Sequence, residues 1–154
     1  MTIIEKLKAG VTTESAGQTR ALATELAAAL PDDTVLALHG DMGVGKTTFV
    51  QGLAQGLGVK EHVTSPTFAI YSVYQGTPPA LRSPGEAGRK LVHLDAYRLD
   101  KETQLEALLL EEYLVSPYVL AVEWPEKTGA WLPKTAWHLT LSIVDEDKHR
   151  VLLR

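Results

Sequence analysis

Thr34-Val-Leu-Ala-Leu-His39, running directly into Gly40-Asp-Met-Gly-Val-Gly-Lys-Thr47, is the stretch on which the fold turns. Its first half is a short apolar run bounded by turn-forming residues on both sides, so it reads as a buried strand. Its second half fits G-x-x-x-x-G-K-[ST] without deviation. A helix is expected over Lys46–Leu57, closed by Gly58 at its C-terminus. In such a strand–turn–helix, glycines let backbone N–H groups crowd around a phosphate, and the helix start adds unpaired amides and the positive end of its dipole. The expected nucleotide-binding residues are therefore Gly40, Asp41, Met42, Gly43, Val44, Gly45, Lys46, Thr47 and Thr48. Lys46 brings a full charge to the β- and γ-phosphates, and the Thr47 hydroxyl is placed to ligate Mg2+. A Gly-rich turn that binds nothing is the bland alternative, but the motif stands where it must stand to work.

Outward from this segment, Thr12 and Thr13 offer N-caps for a helix over Glu14–Leu30, with Ala16, Thr19, Ala23, Leu26, Ala27 and Leu30 on one mostly apolar face, and Pro31 stops it. Strand-like runs follow at Thr67–Tyr74, Lys90–Leu94 and Tyr118–Glu123, with a Leu- and Glu-rich helix over Lys101–Leu114 between the last two. The end of the chain, Ala136–Val144 and His149–Leu153 around Asp145–Lys148, alternates apolar and polar residues as a hairpin does. Strands alternating with helices give an α/β class with a mostly parallel sheet, and the hairpin adds antiparallel strands at one edge. Residues 75–89 hold Pro78, Pro79, Pro84 and three glycines, and read as an exposed, mobile loop rather than an ordered lid.

Composition narrows the function classes. At 154 residues the chain is expected to form a single domain, residues 1–154. It has no cysteine, which excludes disulfides, thiolate zinc sites and cysteine nucleophiles. His39, His62, His93, His138 and His149 are scattered without a metal-ligand pair, and His93, mid-strand, reads as a satisfied structural histidine. A net charge of -4 argues against a surface that grips nucleic acid directly. No apolar run reaches a membrane span, so no membrane partner is expected and the location by default is cytoplasmic.

A triphosphate site also needs carboxylates at strand ends. Leu91-Val-His-Leu94 ends in Asp95, and Tyr118-Val-Leu-Ala-Val122 ends in Glu123. Parallel strands deliver their C-terminal ends to the crevice of the phosphate loop, so either acid can reach the metal. Thr64-Ser65-Pro66-Thr67-Phe68 is rich in hydroxyls and stiffened by Pro66, as a segment that folds over a γ-phosphate would be. Arg98 is placed to meet phosphate or a partner, and Trp124 to pack on the site or in the core.

With these motifs in hand, the sequence resembles the TsaE family, formerly called YjeE, of small bacterial ATPases needed for threonylcarbamoyladenosine in tRNA. The resemblance runs over almost the whole chain. It is carried by GDMGVGKTTFVQGL at Gly40–Leu53, VTSPTF at Val63–Phe68, HLDAYRL at His93–Leu99, VEWPEK at Val122–Lys127 and the pair Leu132-Pro133. It implies a three-layer P-loop NTPase-like fold with antiparallel edge strands, ATP as substrate and Mg2+ as cofactor. It implies further that Lys46 binds phosphate, that Thr47 and Glu123 hold the metal, and that Asp95 positions or activates the attacking water. Ser65 and Thr67 resemble the switch-like segment, Thr67 standing with Lys46 and Asp95 at the chemistry. Ser65, Pro66, Tyr97, Arg98 and Trp124 are the candidates for coupling to a partner. Arg150 is the nearest match to a nucleotide-contacting arginine of some relatives. Residues 75–89 are longer than is usual in the family, and the chain ends soon after its last strand, so no family role is carried onto either part.

The implied partners are the TsaD and TsaB proteins, which ATP hydrolysis would reset between turnovers, with no strong direct binding of tRNA. A small-molecule kinase with Arg82 and Arg89 in a lid over 75–89, and a nucleotide-gated module with negligible turnover, are the competing readings. No N-K-x-D signature for guanine occurs, which favours adenine.

Overall fold

The computed structural model describes residues 1–66, 70–78 and 88–154, apart from the side chain of Glu102. Among the described residues seven strands form one sheet: β1 (Val11–Thr13), β2 (Thr34–His39), β3 (Tyr71–Gln75), β4 (Lys90–Asp95), β5 (Tyr118–Glu123), β6 (Trp137–Asp145) and β7 (Lys148–Leu153), in the order β1-β7-β6-β2-β5-β4-β3. The four central strands are parallel, while β3 pairs antiparallel with β4 at one end and β7 pairs antiparallel with both β6 and β1 at the other. Antiparallel additions thus flank both edges, where the sequence pointed to one. The β3–β4 pair is the one the periodicity did not orient.

Alternation along the strands builds two cores. Leu36, Leu38, Leu91, Val119, Ala121, Leu139 and Leu141 face α1 (Ile3–Ala9), α2 (Ala16–Ala29) and α3 (Lys46–Gly56). Val35, Val92, Leu94, Leu120 and Val122 face the other way, onto Leu99, Leu105 and Leu110 around α4 (Glu102–Glu106). A sheet with helices on both sides is the three-layer arrangement expected of a central parallel sheet.

Four local readings are corrected. The cap of α2 is Ser15, whose hydroxyl accepts from Gln18 N, while Thr13 lies in β1 and shares a buried 2.7 Å hydrogen bond with Thr19. The helix expected over 101–114 ends at Glu106, because Leu109 turns left-handed (φ 52°) before a short 3-10 turn at Leu110–Glu112. Helix α1 and strand β1 were not anticipated. A capping box between Thr2 and Glu5 starts α1, and β1 owes its existence to pairing with the distant β7. The strand expected over Thr67–Tyr74 runs over Tyr71–Gln75, and residues 67–69 lie outside the described residues. So do residues 79–87, the greater part of the expected loop and Arg82 with it; its flanks are pinned by Gly76 N to Arg89 O (2.9 Å) and Thr77 N to Leu57 O (3.0 Å).

Helices α2 and α3 pack backbone against backbone. A Cβ on Gly52 would stand 2.3 Å from Arg20 O and 2.7 Å from Ala23 Cβ, so this contact admits only glycine. Thr24 Oγ1 closes it by donating to Gly52 O at 2.8 Å. Gly52→Ala is therefore expected to lower unfolding stability by about 1–3 kcal/mol in thermal melts. Gly17→Ala, whose new Cβ meets only Ser15 Oγ at 3.7 Å, should leave stability unchanged or slightly raised.

Candidate functional site

Strand β2 feeds straight into the phosphate loop, and Gly45 forms the N-cap of α3 in a left-handed conformation (φ 99°, ψ 21°) with no side-chain cap. That backbone favours glycine, and it leaves the first amides of α3 without a capping side chain. In register, Leu38 of β2 lies beside Glu123 of β5, and Glu123 lies beside Asp95 of β4. Three neighbouring strand ends thus bring the loop and both acids to one place.

The result is a cleft of about 470 Å3. Met42, Gly43, Gly45, Lys46, Thr47 and Thr48 line it from the loop, and Ser65, Pro66, Asp95, Tyr97, Arg98, Glu123 and Trp124 from the facing segments. Ile70 also lines it and was not anticipated; it adopts φ 66°, which no sequence pattern announces. Gly40, Asp41 and Val44 do not line the cleft: the Gly40 carbonyl accepts from Lys46, Asp41 is exposed, and Val44 is buried in the core. Arg150 does not line it either. Its place on β7 opposite Thr12 carries its guanidinium over the turn between α1 and β1, against Gly10 and 3.5 Å from Ala9 O. Thr67 lies outside the described residues.

Lys46 is 5% exposed. Its ammonium donates to Gly40 O at 2.6 Å and sits 3.7 Å from the centre of the Trp124 ring, a cation–π contact. Burial lowers its pKa from the ordinary lysine value, against the opposing pull of Glu123, Asp95, Glu126 and Asp41. Trp124 holds a left-handed backbone (φ 56°) immediately after β5, and such strain in a non-glycine residue concentrates at working sites. Tyr97 packs on Trp124 with ring centres 5.1 Å apart, and Lys127, another residue the sequence did not single out, donates to Tyr97 O at 2.6 Å.

The two acids differ in setting. Asp95 is half-buried and accepts from Ser65 Oγ (3.4 Å) and Tyr97 N (3.0 Å). Glu123 is 4% exposed and is hydrogen-bonded through Oε2 to His93 Nε2 at 2.5 Å. His93 is therefore only half satisfied: its Nδ1 is buried with no partner among the described residues. The described residues contain no group of three histidines or acids able to hold a metal unaided. Thr47, Glu123 and Asp95 instead offer hard oxygens, the donor set suited to a Mg2+ that completes its shell with phosphate oxygens and water.

Beneath the loop, on the opposite face of the sheet from α3, His39 Nε2 and His138 Nδ1 share a 2.8 Å hydrogen bond. Burial first, then His138, Arg154 and Lys46, lower the pKa of His39 below the ordinary 6.5, with Glu126 opposing. The unfolded chain takes up a proton at this residue before the folded one does. Stability associated with His39 is thus full above about pH 6.5 and is lost as pH falls below it. Melting temperatures measured from pH 7.5 down to 5 should fall less steeply in His39→Gln than in the parent.

Comparison with known proteins points in one direction. A family model described as threonylcarbamoyl adenosine biosynthesis protein TsaE matches residues 13–152. The tRNA threonylcarbamoyladenosine biosynthesis protein TsaE of Bacillus subtilis (strain 168) is 36% identical over 135 residues, covering 87% of this chain and 77% of that protein. The protein of the same name from Aquifex aeolicus (strain VF5) is 35% identical over 140 residues, 90% of each chain. Among solved structures, the crystal structure of YdiB from Bacillus subtilis superposes with a TM-score of 0.72 at 29% identity, covering 94% of this chain and 82% of that one.

Proposed function

This chain belongs to the TsaE family, and from that premise we propose that it is a Mg2+-dependent ATPase serving threonylcarbamoyladenosine formation on tRNA. In this reading residues 1–154 act as one cytoplasmic nucleotide-hydrolysing domain. Hydrolysis of the β–γ bond resets a complex of TsaD and TsaB between turnovers, and the chain does not itself modify tRNA. The observation that carries the reading is the convergence of Lys46, Thr47, Asp95 and Glu123 on one cleft at the start of α3.

The chemistry follows from those positions. Loop amides and the α3 N-terminus bind the β- and γ-phosphates and meet the charge that develops on them. Lys46 exchanges the Gly40 carbonyl and the Trp124 face for phosphate oxygens. Thr47 and Glu123 would hold Mg2+, which would supply positive charge against the triphosphate. Asp95, steadied by Ser65 and the Tyr97 amide, accepts a proton from the attacking water and aligns it with the γ-phosphorus. Thr67 belongs to the same group by family resemblance. Arg98 and the exposed Tyr97 stand at the cleft, where a partner that covers it would touch them. Arg150, which lies over the turn between α1 and β1, is a candidate for nucleotide contact by family resemblance only. The net charge of -4 is in keeping with partners that supply the tRNA surface.

Three measurements check this. Lys46→Ala should weaken Mg·ATP binding by about tenfold to a hundredfold, the worth of a charge-assisted contact, with its melting temperature close to the parent's. Steady-state ADP release should be slow for the chain alone and rise by about tenfold or more when TsaD and TsaB are added. Equal rates with and without them, or a rise driven instead by a hydroxyl metabolite, would replace this reading with a gated binding module or a kinase. Asp95→Asn should retain Mg·ATP binding and lose hydrolysis by roughly a hundredfold or more.

A further inference from the structure

His93 does something that the packing of β4 does not ask for. It is fully buried in β4, on the face covered by α3, between Ala121 of β5 and Ser72 of β3. An aliphatic side chain there would bring no polar atom of its own, whereas the imidazole brings Nδ1, which has no partner among the described residues. Burying an unpaired polar nitrogen costs free energy, so the gain has to come through the other nitrogen. That nitrogen, Nε2, is bonded to Glu123 Oε2.

The geometry of the pair is set by register. His93 lies opposite Ala121 and Asp95 opposite Glu123, so His93 and Glu123 are diagonal neighbours on one face of the sheet. Ala121 has no bulk to fill the space across from His93, which lets the ring lean toward the carboxylate one pleat on. Glu123 is itself buried yet lines the cleft. Its Oε2 is taken from beneath by the imidazole, and its Oε1 is the oxygen left for the cleft.

We propose that His93 is a positioning residue for Mg2+: by donating Nε2–H to Glu123 Oε2 it fixes the carboxylate so that Oε1 alone meets the cation. The inference rests on the reading above that Glu123 holds the metal. A ligating carboxylate oriented by a buried donor is the outer-shell arrangement that sustains metal affinity. A carboxylate with one oxygen engaged also favours single-oxygen ligation, which suits octahedral Mg2+ and disfavours Ca2+, a frequent user of both oxygens. His93 is thereby a selectivity element as well as a support.

The test is calorimetric titration of a non-hydrolysable ATP analogue in EDTA, in Mg2+ and in Ca2+. It compares the parent with His93→Leu, His93→Gln and Glu123→Gln. Glu123→Gln and His93→Leu should each lose about tenfold or more of the tightening that Mg2+ confers on the parent, and in His93→Leu affinity in EDTA stays within about twofold. His93→Gln, whose amide N–H reaches toward Oε2, should recover most of that tightening. In His93→Leu the preference for Mg2+ over Ca2+ should also shrink, which a merely structural role of His93 would not produce. Should His93→Leu keep the full Mg2+ effect while Glu123→Gln loses it, the role of His93 is overturned and that of Glu123 stands. If Glu123→Gln keeps it, both fall. If His93→Leu does not fold, the parent decides by proton NMR. A far-downfield His93 Nε2–H resonance should move when Mg2+ is added to the nucleotide complex but not when nucleotide is added alone, and a resonance indifferent to Mg2+ overturns the proposal.

Discussion

A left-handed glycine at the start of a helix is the constraint on which the other features of this molecule depend. Gly45 turns the chain so that α3 begins without a side-chain cap, which keeps its first amides from being spent inside the protein. Those amides need an anion or water, and the helix dipole favours the anion. The remainder of the architecture keeps this helix start in place. Strand β2 anchors the loop from one side, and α2 clamps α3 through a glycine contact too close for any side chain. The parallel partners β5 and β4 then deliver Glu123 and Asp95 in register beside it.

Lys46 shows how the cleft manages a buried charge. An ammonium removed from water needs oxygen or aromatic partners. Gly40 O and the Trp124 ring supply both, and the two acids oppose the desolvation without cancelling it. These contacts join the loop to the segment after β5, where Trp124, Tyr97 and Lys127 form a continuous stack of ring and carbonyl contacts at the cleft. The Lys46 ammonium is thus linked through the Trp124 ring to the exposed Tyr97 at the mouth of the cleft.

The parts of this design that the amino-acid sequence displays are those governed by local rules. The phosphate loop, the strands at Thr34–His39, Lys90–Asp95 and Tyr118–Glu123, and the acids ending two of them follow from periodicity and glycine spacing. What stayed hidden depends on distant partners or on unusual backbone. Strand β1 is three residues long and exists because β7 pairs with it. Leucine and tryptophan do not advertise left-handed turns, yet Leu109 ends the helix after α4's short run and Trp124 turns the chain into the cleft. The cap at Ser15 was displaced from Thr13 by a buried threonine pair that only the fold creates. Helix α1 was legible in principle, through the Thr2–Glu5 capping box. The partnership of His93 with Glu123 was not, because strand register and a small residue at Ala121 bring the two together.

On the function proposed above, the amides at the start of α3 receive the anionic end of ATP. Nitrogen-15 NMR of the backbone, recorded while Mg·ATP is titrated in, addresses it most directly. The amides of Gly43, Gly45, Lys46 and Thr47 should show the largest shifts and move together with one affinity, with the Trp124 side-chain N–H following as Lys46 leaves its ring. Saturating Mg·ATP that leaves those four amides where they were, or shifts a different surface instead, would contradict the account at its root.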